Sequence, residues 1–154
     1  MATVHLCTGL LERDGCVLLV ASRYPNQPRP LWNLPGGRRR EGELLDGALR
    51  REFLEETALE IEVGNLLYVS ESHDRATGTH FLNVTFAVSA QGQPREVHDD
   101  AHIVGIAWVP RDELASRINV PIVREPLLSA LAGRPRRYFG CDDSGISIEF
   151  AEPA

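Results

Sequence analysis

The residues best able to do chemistry in this 154-residue chain lie between Gly36 and Leu59, GGRRREGELLDGALRREFLEETAL, where Glu41, Glu43, Glu52, Glu55 and Glu56 accompany five arginines. At ~100° per residue around a helix, Glu52, Glu55 and Glu56 fall within an arc of roughly 100° that overlaps the arc of Leu45, Ala48 and Leu59. A helix face that should be oily turns acidic halfway along. Carboxylates crowded on an inward face repel one another and lose hydration, so a cation belongs beside them. Oxygen-only ligands select hard cations, and Mg²⁺ in particular keeps several waters and binds through a few carboxylates plus substrate phosphate. Arg51, four residues before Glu55 and eight after Glu43, is spaced to fix these carboxylates from outside a metal cluster. The plainer reading is a solvated helix face. Against it stands Gly36-Gly37, since adjacent glycines let backbone come close to a ligand beside a helix start.

These residues resemble the Nudix hydrolase signature, G-x5-E-x7-R-E-U-x-E-E-x-G-U, in which U is bulky and apolar. Gly37, Glu43, Arg51, Glu52, Phe53, Glu55, Glu56 and Leu59 fall at the required spacings. The departure is Ala58, where the family has a glycine that ends the helix in a left-handed conformation. Alanine there is expected to cost roughly 1 kcal/mol or to extend the helix by a residue. The resemblance implies an α/β fold of the Nudix type, an α/β/α sandwich with a mixed β-sheet between helices. It also implies hydrolysis of a pyrophosphate bond in a nucleoside diphosphate derivative by metal-activated water, with Mg²⁺ or Mn²⁺ as cofactor. Carried over by position, Glu52, Glu55 and Glu56 would bind the metal with the Gly36 carbonyl, and Glu43 and Arg51 would support the site. The general base stays open among Glu56, Asp99, Asp100 and His102. Homodimers are common among proteins of this kind, so a homodimer is a further expectation.

Outside the signature, Arg23, Arg29, Arg38 and Arg39 flank the expected cleft, where guanidinium groups could grip phosphates bidentately. Trp32, Tyr24 and Phe81 could stack on a base, with packing in the core as the plainer alternative. Of these, Arg23, Arg38 and Trp32 are the substrate-binding candidates.

The elements that must position these groups follow from pattern. Thr3 to Glu12 and Cys16 to Ser22 are apolar runs around Asp14-Gly15, the signal for an opening hairpin. PNQPRP is a surface loop, and a short strand at Leu31 to Leu34 leads into the glycine pair. Leu45, Ala48, Leu49 and Phe53 predict a helix from Leu45 to about Leu59. Strands are expected at Ile61 to Val69, Phe81 to Ser89 and Ile103 to Val109, the last buried, with loops at Ser72 to Thr79 and Gln91 to Asp100. Short helices follow over Pro110 to Arg117 and over Ile122 to Leu131, the latter broken or kinked at Pro126 and ended by Gly133. Ile146, Ile148 and Phe150 alternate as one more strand, with a loosely attached terminus as the alternative.

The length suits one domain over residues 1–154, and 43% hydrophobic with 25% charged residues excludes disordered and fibrous classes. A net charge of −6 argues against gripping nucleic acid backbone and favours a small nucleotide-type substrate. The basic residues are all arginine, which excludes Schiff-base lysine chemistry. No apolar run approaches the ~20 residues of a membrane span, and the N-terminus lacks a secretory pattern, so a cytoplasmic location is expected. Cys7, Cys16 and Cys141 form no CxxC pair and read as reduced, small hydrophobes. A second function class remains in view, a Nudix-fold module that binds a nucleotide without turning it over. Loss of a motif glutamate would favour it, and each is present.

Overall fold

A computed structural model describes residues 2–97 and 102–150. Its strands are β1 (Thr3–Leu10), β2 (Glu12–Arg13), β3 (Cys16–Ser22), β4 (Leu31–Asn33), β5 (Gly36–Arg38), β6 (Ile61–Asp74), β7 (Thr79–Ala90), β8 (Ile103–Pro110) and β9 (Tyr138–Cys141). The helices are α1 (Leu45–Thr57), α2 (Leu114–Arg117), which follows a 3-10 turn over Arg111–Glu113, and α3 (Pro121–Leu131). Among the described residues no helix is long and apolar enough to cross a membrane.

The strands form two sheets. One has the order β5-β1-β7-β6-β9 and is mixed, because β1 runs parallel to β7 and β9 parallel to β6 while the other pairs are antiparallel. The other centres on β3, which pairs antiparallel with β2, β4 and β8. The opening hairpin exists, with Glu12 opposite Val17 and Arg13 opposite Cys16, and Asp14 and Gly15 both at positive φ as a tight primed turn requires. Its first arm is only β2, however. The rest of the expected arm, β1, leaves for the other sheet, because its eight residues find a full-length parallel partner in β7.

Strand β3 is buried over nearly its whole length because both of its faces are covered, the condition that replaces alternation with a continuous apolar run. Leu18 joins Cys7, Leu11, Ala48, Leu49, Phe53, Leu59, Ile61 and Val88 in a core built around α1. Val17 and Leu19 point the other way, into a second core with Leu34, Val109, Leu114, Ile118 and Leu127 beneath α2 and α3. Helices thus lie on both sides of the strands, and the architecture is α/β with a mixed sheet packed between helices.

Further elements depart from expectation. β6 and β7 pair from Ile61–Ala90 through Asp74–Thr79, well past Val69 and Phe81, so the connecting loop shrinks to Arg75–Gly78. The extension passes through Ser70, Ser72 and Asp74, polar residues that are buried, and polarity in the sequence masks a strand of that kind. α3 begins at Pro121, where a missing N–H costs nothing, and continues unbroken through Pro126. In the tail, Ile146 to Phe150 is not a strand; the sheet edge beside β6 is taken by β9, in register from Val69–Tyr138 to Ser72–Cys141. Of β8 only Val109 is buried.

Candidate active site

Helix α1 brings the acidic residues to the glycine pair. Its apolar stripe of Ala48, Leu49 and Phe53 is fully buried, and anchoring that stripe sets the rotation of the neighbouring glutamates. Glu56 is 4% exposed, and the side chains of Glu52 and Glu55 are 15% and 42% exposed. The helix ends at Thr57, and Ala58 takes the left-handed conformation itself at φ 62°. Of the two outcomes expected for alanine, strain is therefore realised and extension is not. Thr57 helps to set this stop, since its hydroxyl donates to the Phe53 carbonyl at 2.7 Å and accepts the Leu59 amide at 3.3 Å.

Arg51 organises the carboxylates. Its Nε and Nη2 donate to the two Glu43 carboxylate oxygens at 2.8 and 2.9 Å, a bidentate pair. Nη1 donates to Glu52 at 2.9 Å and Glu55 at 3.3 Å, and Nη2 also reaches the Arg38 carbonyl at 3.0 Å. Arg40 lies 3.9 Å from the far side of Glu55. These donors hold the Glu43 carboxyl down at about 2, Arg51 first and the Arg40 amide next. The Arg51 guanidinium is raised in turn, chiefly by Glu43.

The glycine pair is read against α1. The Gly36 amide donates to Glu56 Oε1 at 2.9 Å. A Cβ on Gly37 would lie 2.6 Å from the Glu52 carboxyl carbon, and one on Gly36 would lie 2.0 Å from the Cys7 carbonyl oxygen, so only glycine admits this approach of strand and carboxylates. Below them the Cys7 thiol is pushed up to about 12 by burial, with the charge of Glu52 next in effect, and stays protonated. Cys7 behaves as a small core residue as expected, whereas Cys141 is exposed.

The donor chemistry of Glu52, Glu55 and Glu56 fits a hard divalent cation, being oxygen throughout. Gly36 meets this set through its amide. Among the described residues no three His, Cys, Asp or Glu side chains already converge as ligands, because Glu52 and Glu55 are turned onto Arg51.

The substrate-side candidates separate into two groups. Arg38 lies on β5 with its guanidinium 4.1 Å from the ring centre of Phe150. Tyr24 sits edge-on to His102 at 4.9 Å and to Phe150 at 6.1 Å. Burial, followed by the charge of Glu56, pushes the Tyr24 phenol up to about 12. Arg23 is exposed, and its amide donates to the His102 carbonyl at 2.8 Å. Trp32 instead packs with the second core, with Arg117 4.9 Å over its ring and Gly105 against its edge. Arg39 turns away to His5 Nδ1 at 2.9 Å and the Glu43 carbonyl at 3.2 Å. Asp99 and Asp100, the other candidate bases, and neighbouring His98 lie outside the described residues.

Sequence reasoning missed two long-range contacts of this region. Asp74, 1% exposed, accepts hydrogen bonds from Ser147 and Ile148, and Phe150 lands on Arg38. Neither contact has a local signal, as about seventy residues or more separate the partners.

A family model described as the NUDIX domain matches residues 3–131. An ADP-ribose pyrophosphatase of Methanocaldococcus jannaschii is 36% identical over 93 residues, 60% of this chain and 54% of that protein. A human 8-oxo-dGDP phosphatase is 32% identical over 118 residues, 75% of this chain and 34% of that protein. The chain thus spans from a third to about half of these curated relatives. Among solved structures, a NUDIX hydrolase from Nitrosomonas europaea superposes with a TM-score of 0.74 at 27% identity, covering 88% of this chain and 92% of its own. With the family model matching most of its length, this chain belongs to the Nudix hydrolase family.

Proposed function

We propose that the protein hydrolyses a pyrophosphate bond in a nucleoside diphosphate derivative, using Mg²⁺ or Mn²⁺ held by Glu52, Glu55 and Glu56. The observation that carries this reading is the pair of clamps on the acidic helix, Arg51 on Glu43, Glu52 and Glu55 and the Gly36 amide on Glu56. A bound divalent cation would neutralise the diphosphate and lower the pKa of an attacking water. The chain's own groups do the rest. Arg51 aims the Glu52 and Glu55 carboxylates, with Glu43 as its counterweight. The Gly36 amide fixes one oxygen of Glu56. Glu56 and His102 are the candidates among the described residues for taking the proton from water, and the His102 ring packs on Tyr24. The names of the curated relatives, which act on ADP-ribose and 8-oxo-dGDP, support the substrate class. The free cysteines Cys7, Cys16 and Cys141 fit the reducing cytoplasm.

The test is release of phosphate and nucleotide from ADP-ribose, 8-oxo-dGDP, nucleotide sugars and diadenosine polyphosphates with Mg²⁺ or Mn²⁺, beside the Glu56→Gln variant. Turnover of at least one substrate is expected, falling about 100- to 10,000-fold in the variant while its circular dichroism stays native. Full activity in Glu56→Gln would remove Glu56 from the site. Nucleotide binding without turnover of any substrate in wild type would favour the non-catalytic module.

A further inference from the structure

Residues Ser144 to Phe150 bridge the end of β6 in one sheet and the loop after β3 in the other. They are pinned at both ends of the crossing. The Ser144 amide donates to the His73 carbonyl at 2.8 Å, and the Ser147 hydroxyl and Ile148 amide donate to Asp74 Oδ2 at 2.9 and 3.2 Å. On the opposite bank, Asn26 and Gln27 from the loop after β3 donate to the Ser147 carbonyl at 2.8 and 2.5 Å, and Asn26 Oδ1 accepts the Glu149 amide at 2.8 Å. Asp74 is buried and also accepts the amides of Ala76 and Thr77 at its own turn, so the anchor is part of the fold and not an incidental surface contact. The strap then delivers Phe150 onto the face of Arg38, beside Tyr24 and 6.4 Å from Phe81.

We infer that this strap roofs the substrate cleft and that Phe150 and Tyr24 form the aromatic wall on which the planar base of a nucleotide stacks. The inference rests on the hydrolase reading for the position of the diphosphate, which the Gly36-Gly37 end of β5 would carry. Arg38 is two residues from Gly36 on that strand, and Phe150 covers its guanidinium face and so fixes its plane beside the phosphate end. Tyr24 touches Phe150 on one side and packs edge-on against His102 on the other. Stacking on these rings accepts any base, since every base has a π face, but it favours nucleotides over phosphates that carry only a sugar.

The test compares wild type, Phe150→Ala and Phe150→Tyr for the Kd of AMP, UMP and ribose 5-phosphate by calorimetry, and for the KM and kcat of ADP-ribose. Wild type is expected to prefer both nucleotides to ribose 5-phosphate. Phe150→Ala should shrink that preference about 5- to 100-fold and raise KM more than it lowers kcat, and Phe150→Tyr should restore both. The binding arm needs no turnover, so a preference lost in Phe150→Ala without wild-type hydrolysis of ADP-ribose or any other substrate of the panel would sink the hydrolase reading and keep the wall. A preference unchanged in Phe150→Ala, or no preference in wild type, overturns the wall. Tighter nucleotide binding in Phe150→Ala overturns it too, since Phe150 would then be competing with the base.

Discussion

The acidic helix and the tail strap are built in different ways. On the α1 side, the acidic network joins residues no more than about twenty positions apart, and charge holds it together: Arg51 to Glu43, Glu52 and Glu55, and Gly36 to Glu56. On the strap side, the contacts span seventy to more than a hundred positions and run through neutral donors, one buried carboxylate and ring faces. The first side behaves as a unit because one guanidinium serves several carboxylates. The second is a series of separate contacts, and its strength depends on where the sheets put the chain. On the proposed reading, phosphate chemistry suits the charged side, and discrimination of the base suits the strap side.

The largest effect should come from Arg51→Met. Removing the shared cation leaves Glu43, Glu52 and Glu55 facing one another, and urea unfolding should show a loss of about 2–4 kcal/mol, the buried-pair cost discounted for the exposure of Glu55. A loss confined to a few tenths would mean that the network is not a unit, and the contrast between the two sides would fail.

A smaller and more local effect is expected from Asp74→Ala, about 1–3 kcal/mol as the amide and hydroxyl donors lose their acceptor. Hydrogen exchange should quicken at Ser144–Phe150 and around the Arg75–Gly78 turn while the amides of α1 keep their protection. Acid offers a reversible version of the same break. Burial works against ionisation of Asp74, but hydrogen bonds from Ser147, Thr77 and Ile148 outweigh it and hold its carboxyl below the ordinary value. A folded value lower than the unfolded one means the stabilisation is complete above the usual aspartate pKa of about 3.9 and is lost as pH falls through the lower folded value. Strap protection should therefore persist at pH 5 and fade only in stronger acid. Fading already near pH 6 would assign the hold to another group.

The smallest effect tests the end of α1. Ala58→Gly should raise stability by about 1 kcal/mol, because glycine adopts φ 62° without the steric cost that alanine bears. No change, or a loss, would show that the Thr57 hydroxyl bonds already relieve the turn.

Much of the α1 side could be read from residue types alone. The spacing of Arg51 to Glu43 and Glu55 anticipated its contacts, and the apolar stripe of Leu45, Ala48, Leu49 and Phe53 anticipated the rotation of the helix, since both follow from 3.6 residues per turn. The Asp14-Gly15 turn was equally legible, but its strand partner was not, because β1 had the choice of a local hairpin or a long parallel pairing with β7. The polar half of β6 was hidden for a related reason: Ser70, Ser72 and Asp74 resemble loop until their buried partners are known.

What the sequence determined by itself is the chemistry: an oxygen-rich, arginine-clamped helix beside a glycine pair, and with it membership of the Nudix hydrolase family. Tertiary structure alone decided where the aromatic and basic candidates lie. It packed Trp32 against the second core, set Tyr24 beside His102, and carried Phe150 across to Arg38. Helical periodicity is a local property of the chain, so spacing encodes it. The meeting of Asp74 with Ser147, or of Arg38 with Phe150, depends on the closing of long loops and on which sheet edge is left for the tail, and no short stretch of sequence carries that information.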